Sequence, residues 1–435
     1  MLKFDHGRNP ADRGWNPTRS RPESGRCQTR VGSQLDFNRN PAKSSRDLAT
    51  TKATAIAARF WSGFRLSMGG RLVGCRRRGV GATGGWRPAG QRRGGEAGTH
   101  RRERRARRGW NCLHHRRSVI ACLVQGAYVL ELDRQYDRKD HDAIAPPWWE
   151  SFGFELTGTL IDDVDSSIFG AIYKYKPPAS KDSSVEDAPK FVIAFRGTVR
   201  RKESLTRDSL LDLNIIKNGL HKTSRYTIAM QAVRNVVSTA RSSNIWLSGH
   251  SLGSAIAILV GKNMAKLGML LETFLFNPPF VSAPIESIKD KTIKQGIRIA
   301  GSLITAGLSI ALKDKLEESS PKDSFAILAT WMPHLFVNPS DYICSEYIGY
   351  FEHRTFMNKL GYGNIEKLAT QNSIGCLFVR AFGNDSDPLH LLPSANLTVN
   401  LSHSPDFTTA HAVHQWWLPD QHLQSKQHHY LEMHR

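Results

Sequence analysis

Ile245-Trp246-Leu247-Ser248-Gly249-His250-Ser251-Leu252-Gly253-Ser254-Ala255 is the stretch on which the reading of the whole chain turns. An apolar run with the character of a buried strand stops at a Gly-x-Ser-x-Gly turn, and an alanine- and isoleucine-rich helical run over 254–267 begins directly after it. A serine that presents its hydroxyl at the tip of so tight a turn sits in strained backbone. Its neighbours two residues to either side must then be nearly free of side chain, which Gly249 and Gly253 satisfy. Ser251 is therefore the nucleophile candidate. The helix that follows aims backbone N–H groups and its positive dipole end at the same point, with the Leu252 N–H as the first candidate donor to an oxyanion. A Gly/Ser turn without chemistry carries the same letters; the strand before and the helix after favour the nucleophile.

Upstream of the elbow, Lys190 to Phe195 reads as a β-branched and aromatic strand ending in Arg196-Gly197-Thr198. A strand that stops at Gly-Thr before a polar loop can bring a backbone N–H and a hydroxyl to the sheet edge where a second oxyanion donor is wanted, so Thr198 is a candidate; an ordinary strand-end turn fits equally well. Asp208 and Asp212 share a helix face and read as structural partners or caps. Residues 226–241 predict an amphipathic helix leading into the elbow strand. Two further strands, 152–161 and 168–175, flank the acidic turn Asp162-Asp163-Val164-Asp165, whose spacing lacks the glycine and distal glutamate of a calcium loop. Arg117 to Glu131 carries apolar residues at helical spacing and predicts an amphipathic helix.

Downstream, Leu271 to Pro279 reads as another buried strand, so that strand, helix and strand keep alternating. The pattern predicts an α/β fold with a mostly parallel central sheet and helices on both faces. Residues 299–312 form a charge-free stretch too short to span a bilayer, which suits either an interfacial or lid helix or a buried one. The strand from Trp331 to Val337 runs into a turn ending at Asp341. Where a serine sits on such an elbow, the acid and then the histidine follow it in chain order. Asp341 fits the acid; Asp385, Asp387 and Asp406 are weaker rivals, and a turn aspartate bonding its own backbone is the plain alternative. Ala410-His411-Ala412-Val413-His414 offers two histidines, either of which can serve as the general base for Ser251 with Asp341 on its other nitrogen. Their spacing also suits a metal on a helix, but no third ligand is evident, and neither a metal nor a cofactor is expected.

Charge is distributed unevenly over the 435 residues, whose net charge is +21. Residues 1–115 hold 26 Lys and Arg against 7 Asp and Glu, whereas the remainder holds 34 against 32. The basic quarter, with runs such as Arg101-Arg102-Glu103-Arg104-Arg105, is interleaved with Gly, Pro and Ser and shows no sustained apolar period, so 1–108 is expected to be a disordered extension. A transit peptide, a nuclear-targeting cluster and a nucleic-acid tail are the functional readings, and a segment without an evolved role is preferred to all three. Nucleic acid is disfavoured because aromatic residues are not spaced as stacking platforms among the basic runs. No apolar signal core follows the start. The six cysteines (27, 75, 112, 122, 344, 376) show no paired spacing, so the expectation is a cytoplasmic or organellar protein with reduced thiols rather than a secreted one.

From about residue 109 to 420 the chain resembles a plant class 3 lipase-like protein of the α/β-hydrolase superfamily, related to the fungal triacylglycerol lipases. The resemblance rests on Phe195-Arg196-Gly197-Thr198, Gly249-His250-Ser251-Leu252-Gly253, the strand into Asn338-Pro339-Ser340-Asp341, and Ala410-His411 ahead of Gln415-Trp416-Trp417. Relatives of this kind are sometimes labelled GDSL esterase/lipase, although the sequence contains no Gly-Asp-Ser-Leu. The resemblance implies an α/β-hydrolase domain over 109–420 followed by a tail, 421–435. It further implies a carboxylic-ester hydrolase with Ser251 as nucleophile, Asp341 as acid, His411 rather than His414 as base, and Thr198 with Leu252 at the oxyanion hole. The implied substrate is a lipid or other apolar acyl ester, with peripheral contact to a membrane or lipid surface. The alternative is a catalytically silent member of the same fold that binds a lipid or small ligand. The segment 288–325 has no counterpart in the resemblance and is the candidate lid.

Overall fold

Among the described residues, eight strands and seven principal helices make up the architecture of the computed structural model. In chain order they are α1 (Leu113–Gln135), β1 (Phe154–Ile161), β2 (Ile168–Tyr175), β3 (Phe191–Phe195), α2 (Ser224–Val237), β4 (Ile245–His250) and α3 (Leu252–Lys266). Then follow β5 (Glu272–Phe276), α4 (Lys291–Ala311), α5 (Asp323–Thr330), β6 (His334–Val337), α6 (Glu346–Lys359), β7 (Ala395–Asn400), α7 (Phe407–His411) and β8 (Leu423–His428). The structure describes residues 110–143, 147–176, 187–199, 219–281, 285–311, 323–363, 365, 369, 391–418 and 422–430. The expectations for 1–108, for Asp208 and Asp212, and for Asp385 and Asp387 lie outside the described residues.

All eight strands form one sheet in simple sequential order. β1, β2 and β3 pair antiparallel, β3 through β7 run parallel, and β8 closes the far edge antiparallel to β7. A parallel step needs a crossover, and helices supply it on both faces, as the strand–helix alternation predicts. The central strands are consequently buried on both sides, and their side chains alternate between two cores. Ile193, Phe195, Leu247, Leu275, Leu335 and Val337 pack with α2 and α3 on one face. Val192, Ala194, Trp246, Phe274, Phe276 and Phe336 pack with α1 and Trp416 on the other.

Three expectations change on contact with the structure. Residues 148–152 form a single 3₁₀ turn, so the first strand starts at Phe154 rather than Phe152. The predicted one-sided helix over 117–131 is buried continuously from Arg117 to Val124, because α1 is enclosed between the sheet and the 413–417 segment. Residues 423–428, taken from sequence as part of a tail, are an edge strand; backbone pairing with β7 holds them in place although most of their side chains stay exposed.

Helix α4 contains residues 299–311 of the charge-free stretch and is not the wholly buried helix that was one of the two expectations. Ile293, Ile297, Leu303, Ile304 and Ile310 point to solvent, with Ile310 63% exposed. Ser302, Thr305 and Ser309 face the protein. Its N-terminal half is anchored by ion pairs: Arg298 joins Glu286 and Glu346 at 2.8 and 2.7 Å, and Lys294 joins Glu286 at 2.8 Å. No described helix is long and apolar enough to cross a membrane.

Candidate active site

The carboxyl ends of the parallel strands converge on one edge of the sheet, and the candidate residues come from the loops that leave it. Ser251 follows β4 directly with φ 54° and ψ −124°, a backbone that a side-chain-bearing residue adopts only at a cost of about 1–3 kcal/mol. The surroundings enforce it. A Cβ on Gly249 would lie 2.3 Å from the Gly253 carbonyl oxygen, and a Cβ on Gly253 would lie 2.3 Å from that of Phe195. Both glycines are thus required by close backbone approach, as the motif predicts, and the Ser251 N–H donates to the Phe276 carbonyl at 3.0 Å to pin the elbow to β5.

Asp341 lies beyond β6 and is fully buried. One carboxylate oxygen accepts from the Ile343 N–H at 3.0 Å. The other accepts from His411 Nδ1 at 2.8 Å, Asn277 Nδ2 at 2.7 Å and the Cys344 thiol at 3.2 Å. Burial pushes the Asp341 carboxyl up, but the His411 charge and the hydrogen bonds from His411, Asn277 and Cys344 outweigh it and leave it below the usual carboxylate range. The same neighbourhood acts oppositely on Cys344, whose thiol is driven well up by burial and by Asp341.

His411 closes α7, a short helix whose N-cap is Asp406, its side chain accepting from the Thr409 N–H at 2.7 Å. That weaker rival for the acid is therefore a capping residue. With an ionised acceptor on Nδ1, the proton of a neutral His411 sits there, and Nε2 is left to accept from the Ser251 hydroxyl at 3.0 Å. Phe407 stacks on the imidazole, with ring centroids 5.3 Å apart. His414 is exposed and turned toward Trp417, so of the two histidines it is His411 that reaches Ser251. The Gly197–Thr198 turn passes beside Ser251, since a Cβ on Gly197 would lie 2.9 Å from the Ser251 Cβ. Leu252 opens α3, and its N–H belongs to the first turn, which has no intrahelical acceptor.

Two supporting residues escaped the sequence reading. Asn277, with φ 49°, stands where β5 ends and spans the acid and base segments: it donates to Asp341 and to the Ala410 carbonyl at 3.0 Å, and accepts from Trp416 Nε1 at 2.7 Å. An Asn-Pro-Pro strand end was its one visible sign. Gln415 accepts from Asn338 and Asn400 at 2.9 and 3.0 Å and donates to the Ala410 carbonyl, fastening the 410–417 segment to β6 and β7. Among the described residues no three His, Cys, Asp or Glu side chains gather as a metal site requires.

A sequential, largely parallel sheet with a serine on a strained elbow, and an acid and a histidine arriving from later strands, defines an α/β-hydrolase. The sequence profile of the lipase (class 3) family matches residues 192–282. An Arabidopsis thaliana protein named "GDSL esterase/lipase" is 51% identical over 332 residues, covering 74% of this chain and 94% of that protein. The chain belongs to the class 3 lipase family, among its plant lipase-like members. Solved structures with a likeness include a lipase from Rhizopus microsporus var. chinensis, at 13% identity and TM-score 0.25 over 51% of this chain and 66% of that one. A carboxyl esterase from Tuber melanosporum aligns at 16% identity and TM-score 0.24 over 53% and 84%.

Proposed function

We propose that the protein is a serine carboxylic-ester hydrolase that cleaves lipid or other apolar acyl esters through an acyl-Ser251 intermediate. The observation that carries this reading is the continuous Asp341–His411–Ser251 chain, with contacts of 2.8 and 3.0 Å. His411 Nε2 takes the hydroxyl proton as Ser251 Oγ attacks the ester carbonyl, and Asp341 stabilises the imidazolium that forms. The negative charge on the tetrahedral oxygen is met by the Leu252 N–H and by Thr198. Collapse breaks the bond to the alcohol, which leaves with the proton from His411. Water, deprotonated by the same nitrogen, then attacks the acyl-enzyme and frees the acid.

The outward face of α4 supports contact with a lipid surface. A stripe of aliphatic residues from Ile293 to Ile310 runs roughly 25 Å along the helix with no charge on it, and Lys289 and Lys291 are exposed where it begins. An ester phase and this face suit each other in polarity. The test of the chemistry is a fluorophosphonate probe followed by peptide mapping. Modification at Ser251, lost in Ser251→Ala, is expected, while a folded wild-type protein that never labels would favour the catalytically silent reading.

A further inference from the structure

Two residues that the triad does not use join its separate halves. Tyr128, on α1, lies beside both the Gly197 turn and the elbow: its hydroxyl oxygen accepts from the Gly197 N–H at 2.7 Å and its O–H donates to His250 Nδ1 at 2.8 Å. A Cβ on Gly197 would meet that hydroxyl at 2.6 Å, so the glycine is what admits it. His250, the residue before the nucleophile, then carries its proton on Nε2 and donates it to the His411 carbonyl at 2.6 Å. Every donor and acceptor in this chain has one consistent direction. Gly197 donates to Tyr128, Tyr128 to His250, and His250 to the backbone of the base.

We infer that Tyr128 and His250 are positioning residues, which fix one neutral imidazole tautomer and thereby hold the Gly197–Thr198 turn and His411 in register across Ser251. This deepens the proposed hydrolase and rests on that reading. The neutral state is built in, because burial and the neighbouring His411 push His250 down to about 3. The two rings lie 4.9 Å apart, so a proton on His250 would oppose the charge that His411 takes up during acylation. Without the Tyr128 O–H, only the His411 carbonyl still favours the proton on Nε2, and Nδ1 becomes a buried acceptor that has lost its donor. The opposite tautomer then turns a lone pair toward the His411 carbonyl, where a donor is needed.

The experiment compares Tyr128→Phe, His250→Leu and His250→Gln with wild type on p-nitrophenyl butyrate, with rates expressed per fluorophosphonate-titrated site and with melting temperatures recorded. Tyr128→Phe should lower kcat about tenfold, the equivalent of one lost hydrogen bond, with KM within about twofold. His250→Leu should lower kcat by about a hundredfold, as expected when a base is misplaced. His250→Gln should recover much of that loss, since an amide offers an acceptor and a donor on adjacent atoms without a charge. A merely structural role would lower melting temperature and the titratable fraction while leaving kcat per site intact. Unchanged kcat per site in Tyr128→Phe and His250→Leu, or a Gln variant no better than Leu, overturns the inference. A wild-type protein that fails to label instead removes the hydrolase reading beneath it.

Discussion

The corner around Ser251 and the helix α4 dispose of their polar groups in opposite ways. Beneath Ser251 the carboxylate and amide groups are buried and bonded: Asp341 holds four donors, and Asn277 bridges three segments. On α4 the hydroxyls of Ser302, Thr305 and Ser309 face inward, with Ser302 bonded to His353 at 2.9 Å and Ser309 to the Thr305 carbonyl at 2.8 Å, while Ile293, Ile297, Ile304 and Ile310 face water. A folded chain leaves an aliphatic stripe exposed where something else covers it, whereas it buries a carboxylate only where geometry is worth the desolvation. The first region is therefore finished within the chain, and the second is finished by a lipid surface under the proposal above.

That contrast can be broken most severely at Ser251, the proposed nucleophile. Ser251→Ala should reduce turnover by about a factor of a million, as in serine hydrolases whose triad acts as a unit, with no loss of melting temperature. A residual esterase rate close to wild type would place the chemistry elsewhere. The next largest effect is expected at Asn277. Asn277→Ala strands the buried Trp416 indole N–H and removes a donor from Asp341, at a cost of about 2–3 kcal/mol read as a lower denaturant midpoint at constant m.

Acid should strain the buried interior, the His353–Ser302 contact beneath α4 included. His250 titrates near 3 because of burial and His411, and burial foremost puts His115, His353 and His428 each at about 4. Their folded values lie below the unfolded one, so the unfolded chain binds more protons as the pH falls. Stability is complete above about pH 6.5 and drains away toward pH 4, by about 1.4 kcal/mol per pH unit for a fully buried histidine. Asp341, held low, adds the same sign in stronger acid. Melting temperatures at pH 7.5, 6 and 5 should fall in that order, and a flat series would contradict the buried neutral histidines.

The smallest effect on the fold and the sharpest test of the contrast come from α4. Replacing Ile297, Leu303, Ile304 and Ile310 together by Ser should change stability by only about 0.5 kcal/mol per site, as for other exposed positions, and leave hydrolysis of a soluble ester intact. Flotation with vesicles of phosphatidylcholine and phosphatidylserine should be lost. Equal flotation of variant and wild type would remove the lipid surface as the partner, and a wild-type protein that dimerises through this face would name a second copy instead.

Much of the candidate site's assembly was legible in sequence because its strictest demands are local. The Gly-x-Ser-x-Gly elbow needs bare neighbours two residues away, and chain order alone points to Asp341 and to one of two histidines. What stayed hidden depends on contacts across the fold. Tyr128 looks like one more residue in a helix, and nothing near it in sequence announces Gly197 or His250, 69 and 122 positions away. The charge-free run over 299–312 marked the second half of α4 but not the direction of its apolar side, since a helical stripe is the same whether it faces a core or a boundary. β8 was invisible because Leu-Gln-Ser-Lys-Gln-His has no alternation, its place being set by the β7 backbone.

The unbroken left-to-right order of the strands has a consequence for how such a molecule can change. Each strand from β3 to β7 hands over its own component of the candidate site, so the components meet whatever length of chain separates them. The excursion between Phe276 and His334, which contains α4 in full, leaves Asn277 and Asp341 in contact. Under the proposed function, such loops can be lengthened or exchanged to redirect which esters are met while the candidate site stays assembled.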